Sequence, residues 1–269
     1  MKPYRLARPV WAVPALLFVL LFFVAPLVAN LGRGSQQAAY LKLLTDEYYA
    51  SVLLRTLQIS AITTIACLFV GYPVALFMVR HAGRWTGVIV FLVIAPLLTS
   101  IIMRTFGWRV ILARRGLWNA ALDVLGLLGR PVSWSDQDIA VYLGLVHVLV
   151  PFMVLSIAAV LQGVDVRLEE SARVLGAGRL RSFLYVTLPL SAEGIATGCL
   201  LCFVLCNGSF LTMLLLGGGK MTTLALLIYQ QFSTTQDVGF AAAMGNVLML
   251  AAVICFALQY VMLRQRAAH

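Results

Sequence analysis

Six apolar stretches, at residues 10–31, 51–79, 86–103, 139–161, 190–215 and 238–263, leave this chain few ways to fold. Each is close to or above the roughly 20 residues that a helix needs to cross about 30 Å of hydrocarbon. In lipid a helix satisfies its own backbone hydrogen bonds, whereas an isolated strand does not. Only 11% of residues are charged and the mean hydropathy is +0.96, against about 25% charge in soluble domains. The expected fold is therefore an all-α integral membrane protein with six transmembrane helices. Connections of at most about 35 residues are too short for a soluble domain, which usually needs at least about 50. One transmembrane domain is expected over residues 1–269.

An even number of spans puts both termini on one side. Placing them in the cytoplasm assigns eleven Lys and Arg to the inner face and nine to the outer. The margin is narrow because the outer connection carries Arg104, Arg109, Arg114, Arg115 and Arg130. The charged termini and the short turn at 80–84 weigh more, since long loops obey the positive-inside rule weakly. The reading is a multi-pass membrane protein with both termini in the cytoplasm. The basic start before residues 11–29 resembles a signal peptide, but this apolar run exceeds the usual h-region of about 7–15 residues, so an uncleaved helix is expected. A net charge of +10 is spread over both faces, which fits anchoring to lipid headgroups and gives no concentrated surface for nucleic acid. Cys67, Cys199, Cys202, Cys206 and Cys255 all fall in apolar spans with no His, Asp or Glu at ligand spacing, and read as small hydrophobes with no metal site.

A polar island at residues 165–189 interrupts the apolar pattern. Asp165 is placed to cap a helix, with Glu169 and Glu170 near its positive end, and Leu168, Ala172 and Leu175 share a face. Gly176-Ala177-Gly178 offers a chain reversal that tolerates positive φ. A second short helix follows over 179–185, before Pro189. The expected shape is a helix, an elbow and a helix, projecting into the cytoplasm.

Glu170-Ser171-Ala172, three residues, Gly176, nine residues, Val186, one residue and Leu188-Pro189 resemble the EAA loop of permease subunits in binding-protein-dependent ABC importers of type I. Ser171 stands in place of an alanine and Val186 in place of an isoleucine. Arg104-Thr-Phe-Gly-Trp108, Gly116-Leu-Trp-Asn119, His147-Val-Leu-Val-Pro-Phe152, Leu215-Leu-Gly-Gly218 and Tyr229-Gln-Gln-Phe232 extend the resemblance to the spermidine/putrescine-type permeases. That resemblance implies a second homologous permease subunit, in a heterodimer, two ATPase subunits and a periplasmic substrate-binding protein. It implies that Glu170, Ser171, Ala172, Gly176, Ala177, Leu188 and Pro189 couple to the ATPases. ATP and Mg then belong to those partners, and this chain binds no cofactor and is no enzyme. Its own Gly217-Gly-Gly-Lys220-Met221 lacks the first glycine and the final Ser/Thr of a P-loop.

Polar groups within spans are costly and point to function. Asn207, Ser209 and Thr212 interrupt the fifth span beside Gly208, where a broken helix would expose backbone groups to a substrate; bonding to their own helix or to neighbouring helices is the alternative. Arg104 and Trp108, at the outer end of the third span, are candidates for the gate or for receiving the binding protein, with headgroup snorkelling as the alternative. Tyr229, Gln230 and Asn246 are weaker pathway candidates, and His147 reads as a packed histidine. Short helices are expected in the outer connections, over 109–128 and 221–232. A secondary transporter would need an ionisable group at depth, yet all ten Asp and Glu fall in loops or at span ends. A membrane-embedded enzyme would need a nucleophile, metal or acid/base cluster, which is also missing. The transported solute is either a polyamine or an anionic or zwitterionic nitrogen compound, such as an amino-acid derivative or organophosphonate. The second choice arises because Ser209 stands where many polyamine permeases carry an acid, Met213 and Glu193 stand where relatives have proline, and the outer connection is basic.

Overall fold

The computed structural model describes residues 13–33, 37–126, 132–134, 138–219 and 221–267, and these contain helices and no strand. Helix α1 (Val13–Val19) passes through a π-helical turn into α2 (Ala25–Arg33), and α3 (Gln37–Thr45) leads to the long α4 (Glu47–Arg80). Next come α5 (Thr86–Leu98), α6 (Ile101–Leu112), α7 (Leu117–Val124) and α8 (Asp138–Gly163). The polar island forms α9 (Val166–Val174), α10 (Arg179–Ser182), a π turn and α11 (Leu188–Leu190). Helices α12 (Ala192–Asn207), α13 (Phe210–Leu216), α14 (Leu224–Gln230) and α15 (Val238–Ala267) complete the fold.

Among the described residues, four continuous helices are long and apolar enough to cross a membrane: Val13–Asn30, Glu47–Arg80, Asp138–Gly163 and Val238–Gln259. Two bent pairs, Gly83–Leu98 with Ile101–Val124 at 98° and Arg179–Leu190 with Ala192–Asn207 at 64°, bring the total to six when each pair is counted as one span. The third span differs from its sequence expectation of 86–103, because the chain turns at Thr99 and Ser100. Pro96 lies one turn earlier, and its carbonyl accepts hydrogen bonds from the Thr99 hydroxyl and the Arg104 guanidinium. These side chains satisfy an acceptor that the broken helix cannot. The fifth span, expected over 190–215, is divided at Gly208 and Ser209 and bends again at Ser191. Pro73 and Pro151 sit inside unbroken helices.

The core lies between α4, α8 and α12, around Cys67, Met78, Leu145, Met153, Ile157 and Cys202. Lipid tails are as apolar as these side chains, so close packing rather than water exclusion holds such helices together. At Gly194 a Cβ would sit 2.8 Å from the Ser156 carbonyl oxygen, which explains why α12 can approach α8 so closely. A second cluster, including Leu43, Val52, Leu224, Phe240 and Met244, fastens α3 and α14 against α4 and α15. The first span lies at the periphery: no residue in its most apolar window is buried. Its end is joined to α15 by Asn30 Nδ2 donating to Asn246 Oδ1 over 3.1 Å, while Asn246 Nδ2 donates to the Tyr40 hydroxyl.

In the connection after α6, Leu117, Ala121 and Leu125 recur at helical spacing and are exposed. Residues 127–128 of the stretch expected as helix over 109–128 lie outside the described residues. The inward residue is Asn119, whose amide donates to the carbonyls of Ala113, Arg114 and Val132 and accepts from the Trp134 indole.

Candidate functional site

Helix α9 begins as its sequence dictates, with Asp165 Oδ1 accepting from the Arg167 backbone N–H over 2.9 Å. It ends on Gly176 at φ +89°. The Ala177 N–H reaches the Ala172 carbonyl and the Gly176 N–H reaches that of Arg173, each over 3.0 Å, which is the paired bonding of a Schellman turn. Gly178 has φ −64°, so Gly176 alone in this elbow needs glycine's freedom. Glu170, Ser171 and Pro189 are exposed, and Ala172, Ala177 and Leu188 are half-buried. Leu175 is 88% exposed and Val174 87%, with Leu180 and Tyr185 also projecting. The segment thus carries an apolar face with nothing packed on it beside an exposed carboxylate.

Glu169 was legible from the sequence only as a helix-start acid; in the fold it is 8% exposed. Its Oε1 accepts from Arg80 Nη2 at 3.0 Å and from Nε at 3.2 Å. Arg80 Nη2 also donates to the Val164 carbonyl, and the Ser182 hydroxyl donates to the Glu169 carbonyl over 3.4 Å. Eight residues earlier on α4, the Tyr72 hydroxyl meets Ser191 Oγ at 2.9 Å, at the 64° bend. Ser191 Oγ also lies 3.0 Å from the Leu188 carbonyl, to which it donates, so Tyr72 is the donor. The Tyr72 ring packs edge-on against Phe183.

At the broken helix, Asn207 is 5% exposed at the end of α12. Its Oδ1 accepts from Ser60 of α4 over 2.9 Å, and its Nδ2 has no partner among the described residues. Ser209 Oγ donates to Thr212 Oγ1 at 3.3 Å, and Thr212 is buried. Phe210 stacks on Tyr229 with ring centroids 5.0 Å apart, while Tyr229 and Gln230 remain exposed. The α14 start is held by Thr56 Oγ1, which accepts from the Leu224 N–H and donates to the Val52 carbonyl. Thr56, Ser60 and Thr63 recur at helical spacing on one buried face of α4; that periodicity was the available signal for this polar stripe, which inspection of the broken span alone misses.

Arg104 and Trp108 lie on α6 beyond the 98° bend, on a helix that packs against α13. Besides the Arg104 bond to Pro96, Trp108 packs edge-on against His147, 5.6 Å between centroids. Among the described residues no group of three or more His, Cys, Asp or Glu is placed to hold a metal. A largely apolar groove of about 910 Å³ opens between α4, α12 and α15, lined in part by Thr64, Cys199, Phe203 and Gln259.

The family model described as "binding-protein-dependent transport system inner membrane component" matches residues 4–269. The chain belongs to this family. The permease is 36% identical over 213 residues to the spermidine/putrescine transport system permease protein PotB of Haemophilus influenzae, an alignment covering 78% of this chain and 74% of that one. It is also 36% identical over 200 residues to PotB of Escherichia coli, covering 74% and 73% of the two chains. A bacterial ABC transporter involved in the import of the acidic polysaccharide alginate has a chain of the same fold, with TM-score 0.77 at 18% identity, covering 95% of the permease and 94% of that chain. The permease is therefore a multi-pass inner-membrane subunit of an ABC importer.

Proposed function

We propose that the permease forms half of the translocation pathway of an ATP-driven polyamine importer. A second, homologous permease supplies the other half, a periplasmic protein delivers the solute, and two ATPase subunits engage residues 165–189 on the cytoplasmic side, where both termini also lie. ATP and Mg are held by those subunits. The observation that carries the ATPase reading is the uncovered face of α9 and its elbow, where Glu170 and Ser171 are exposed beside Val174 and Leu175. The choice of solute is supported by the identity with spermidine/putrescine permeases.

Transport then follows from two-state coupling: ATP-driven closure of the partners favours one position of the coupling segment, and the helix bundle passes that preference to the gate. The solute meets neutral groups, Asn207 Nδ2, Ser209 and Gln230, and the exposed ring of Tyr229. An ammonium over an aromatic face gains about 0.5–2 kcal/mol, and one neutral hydrogen bond about 1 kcal/mol. Such weak contacts let a solute enter and leave, while the binding protein sets selectivity upstream.

The basic outer connection favours a second reading, import of an anionic or zwitterionic solute. Two of that connection's five arginines are directed in part at the protein, Arg104 donating to the Pro96 carbonyl and Arg109 Nη1 to that of Leu215 over 3.5 Å, and the identity with the spermidine/putrescine permeases outweighs the rest. Uptake by the reconstituted complex of two permeases, two ATPase subunits and the binding protein, with radiolabelled spermidine competed by zwitterionic amino acids, distinguishes the two. ATP-dependent spermidine accumulation that amino acids leave unchanged is expected. Amino-acid uptake without spermidine uptake overturns the polyamine assignment, and uptake without the ATPases overturns the import mechanism.

A further inference from the structure

We propose that Arg80 and Glu169 are positioning residues whose ion pair makes α4 and the coupling segment move as one body. This inference rests on the reading that ATPase subunits engage α9. The pair is enclosed, with side chains 9% and 11% exposed, and one guanidinium joins three elements: the last residue of α4, the carbonyl of Val164 after α8, and Glu169 in the first turn of α9. Arg173 adds only a longer, exposed contact of 3.9 Å to the other Glu169 oxygen. A pair this enclosed is strongly destabilised when one partner is removed, because the other is left buried and unpaired. Tyr72, bonded to Ser191 and packed on Phe183, makes a second attachment about 12 Å further along α4, at 1.5 Å rise per residue. Two attachments at different heights restrain tilt as well as translation.

The other half of α4 reaches the broken helix and its neighbour. Ser60 donates to Asn207, and Thr56 caps α14 through the Leu224 N–H. From Arg80 to Ser60 is about 30 Å of one uninterrupted helix. A push on α9 is therefore delivered through a single rod to the two side-chain contacts that hold the pathway candidates. α5 follows α4 in sequence, but no described hydrogen bond or ion pair joins it to α9.

The test follows the far end of the rod and does not depend on the identity of the solute. A cysteine is placed at exposed Ser233, just beyond α14, in the assembled complex in membrane vesicles. Its labelling rate by an impermeant maleimide is measured with and without ATP and vanadate, using the complex without Ser233→Cys as the control for native thiols. The parent should show a change of about fivefold or more, in the range of ordinary coupling between sites. Arg80→Gln and Glu169→Gln should each abolish the change while the purified ATPase still hydrolyses ATP, and the double variant should be no worse than either single. Arg80→Lys keeps a cation but loses the planar fork, so it should assemble and respond partially. A full response in both Arg80→Lys and Glu169→Gln overturns the proposal, as does a parent that holds active ATPase yet shows no ATP-dependent change. A parent that retains no ATPase overturns the underlying coupling reading, and the proposal with it.

Discussion

Replacing Gly176 gives a graded test of the elbow, because the structure separates conformational strain from steric exclusion. A Cβ at this position would meet nothing within 4 Å, so space does not oppose substitution; the φ of +89° does. An alanine held there costs about 1–2 kcal/mol, a β-branched valine more, and asparagine less, since it visits the left-handed region more readily. The strain falls on a turn held by two backbone hydrogen bonds, Ala177 to Ala172 and Gly176 to Arg173. If the ATPases bind only the native elbow, a loss of about 2 kcal/mol lowers their apparent affinity by up to about 30-fold. Retention of the ATPases on affinity-purified permease, titrated against ATPase concentration, should weaken in the order Asn, Ala, Val. Yield in the membrane fraction should stay constant, because the elbow lies outside the α4–α8–α12 core. Wild-type retention by Gly176→Val, or an asparagine variant as weak as valine, would refute the reasoning.

Other outcomes follow from the same geometry. Gly194→Ala should lower the thermal stability of the purified permease, by about 1–3 kcal/mol for overpacking, because the new Cβ meets the backbone of α8 rather than a flexible side-chain end; an unchanged melting temperature argues against close α8–α12 contact. Ser209→Ala should reduce uptake by less than about tenfold, given roughly 1 kcal/mol for one neutral hydrogen bond, and abolished uptake in an assembled complex would make Ser209 a stringent determinant. A cysteine at exposed Ser171 should be labelled only from the cytoplasm and one at Arg115 only from outside, with the opposite pattern inverting the topology; Ser182, buried against α9, is a poor reporter.

Local chemistry made much of the fold legible. The six apolar stretches, the Asp165 cap, the elbow at Gly176 and the break beside Gly208 each depend on a few neighbouring residues. The bend at Thr99–Ser100 was hidden because two small polar residues barely lower the hydropathy of the apolar run around them, and hydropathy does not distinguish a straight helix from one that turns. Glu169 and Glu170 are adjacent acids; the motif spacing picks out Glu170, but no local feature marks Glu169 as the buried one. Only the approach of Arg80, distant in sequence, makes Glu169 the buried member and leaves Glu170 exposed. The role of Ser60 was obscured in the same way, since Asn207 stands out in an apolar span but its partner lies on another helix.

The central claim is that residues 165–189 form the seat of an ATPase subunit. Photo-crosslinking from a benzophenone attached to a cysteine at Ser171, in the complex purified from membranes, tests it most directly. The account predicts a permease–ATPase adduct from Ser171 and none from a control cysteine at Arg115, beyond the opposite end of the bundle. A purified complex that contains the ATPase but gives no adduct from Ser171, or gives one from Arg115 instead, would contradict it.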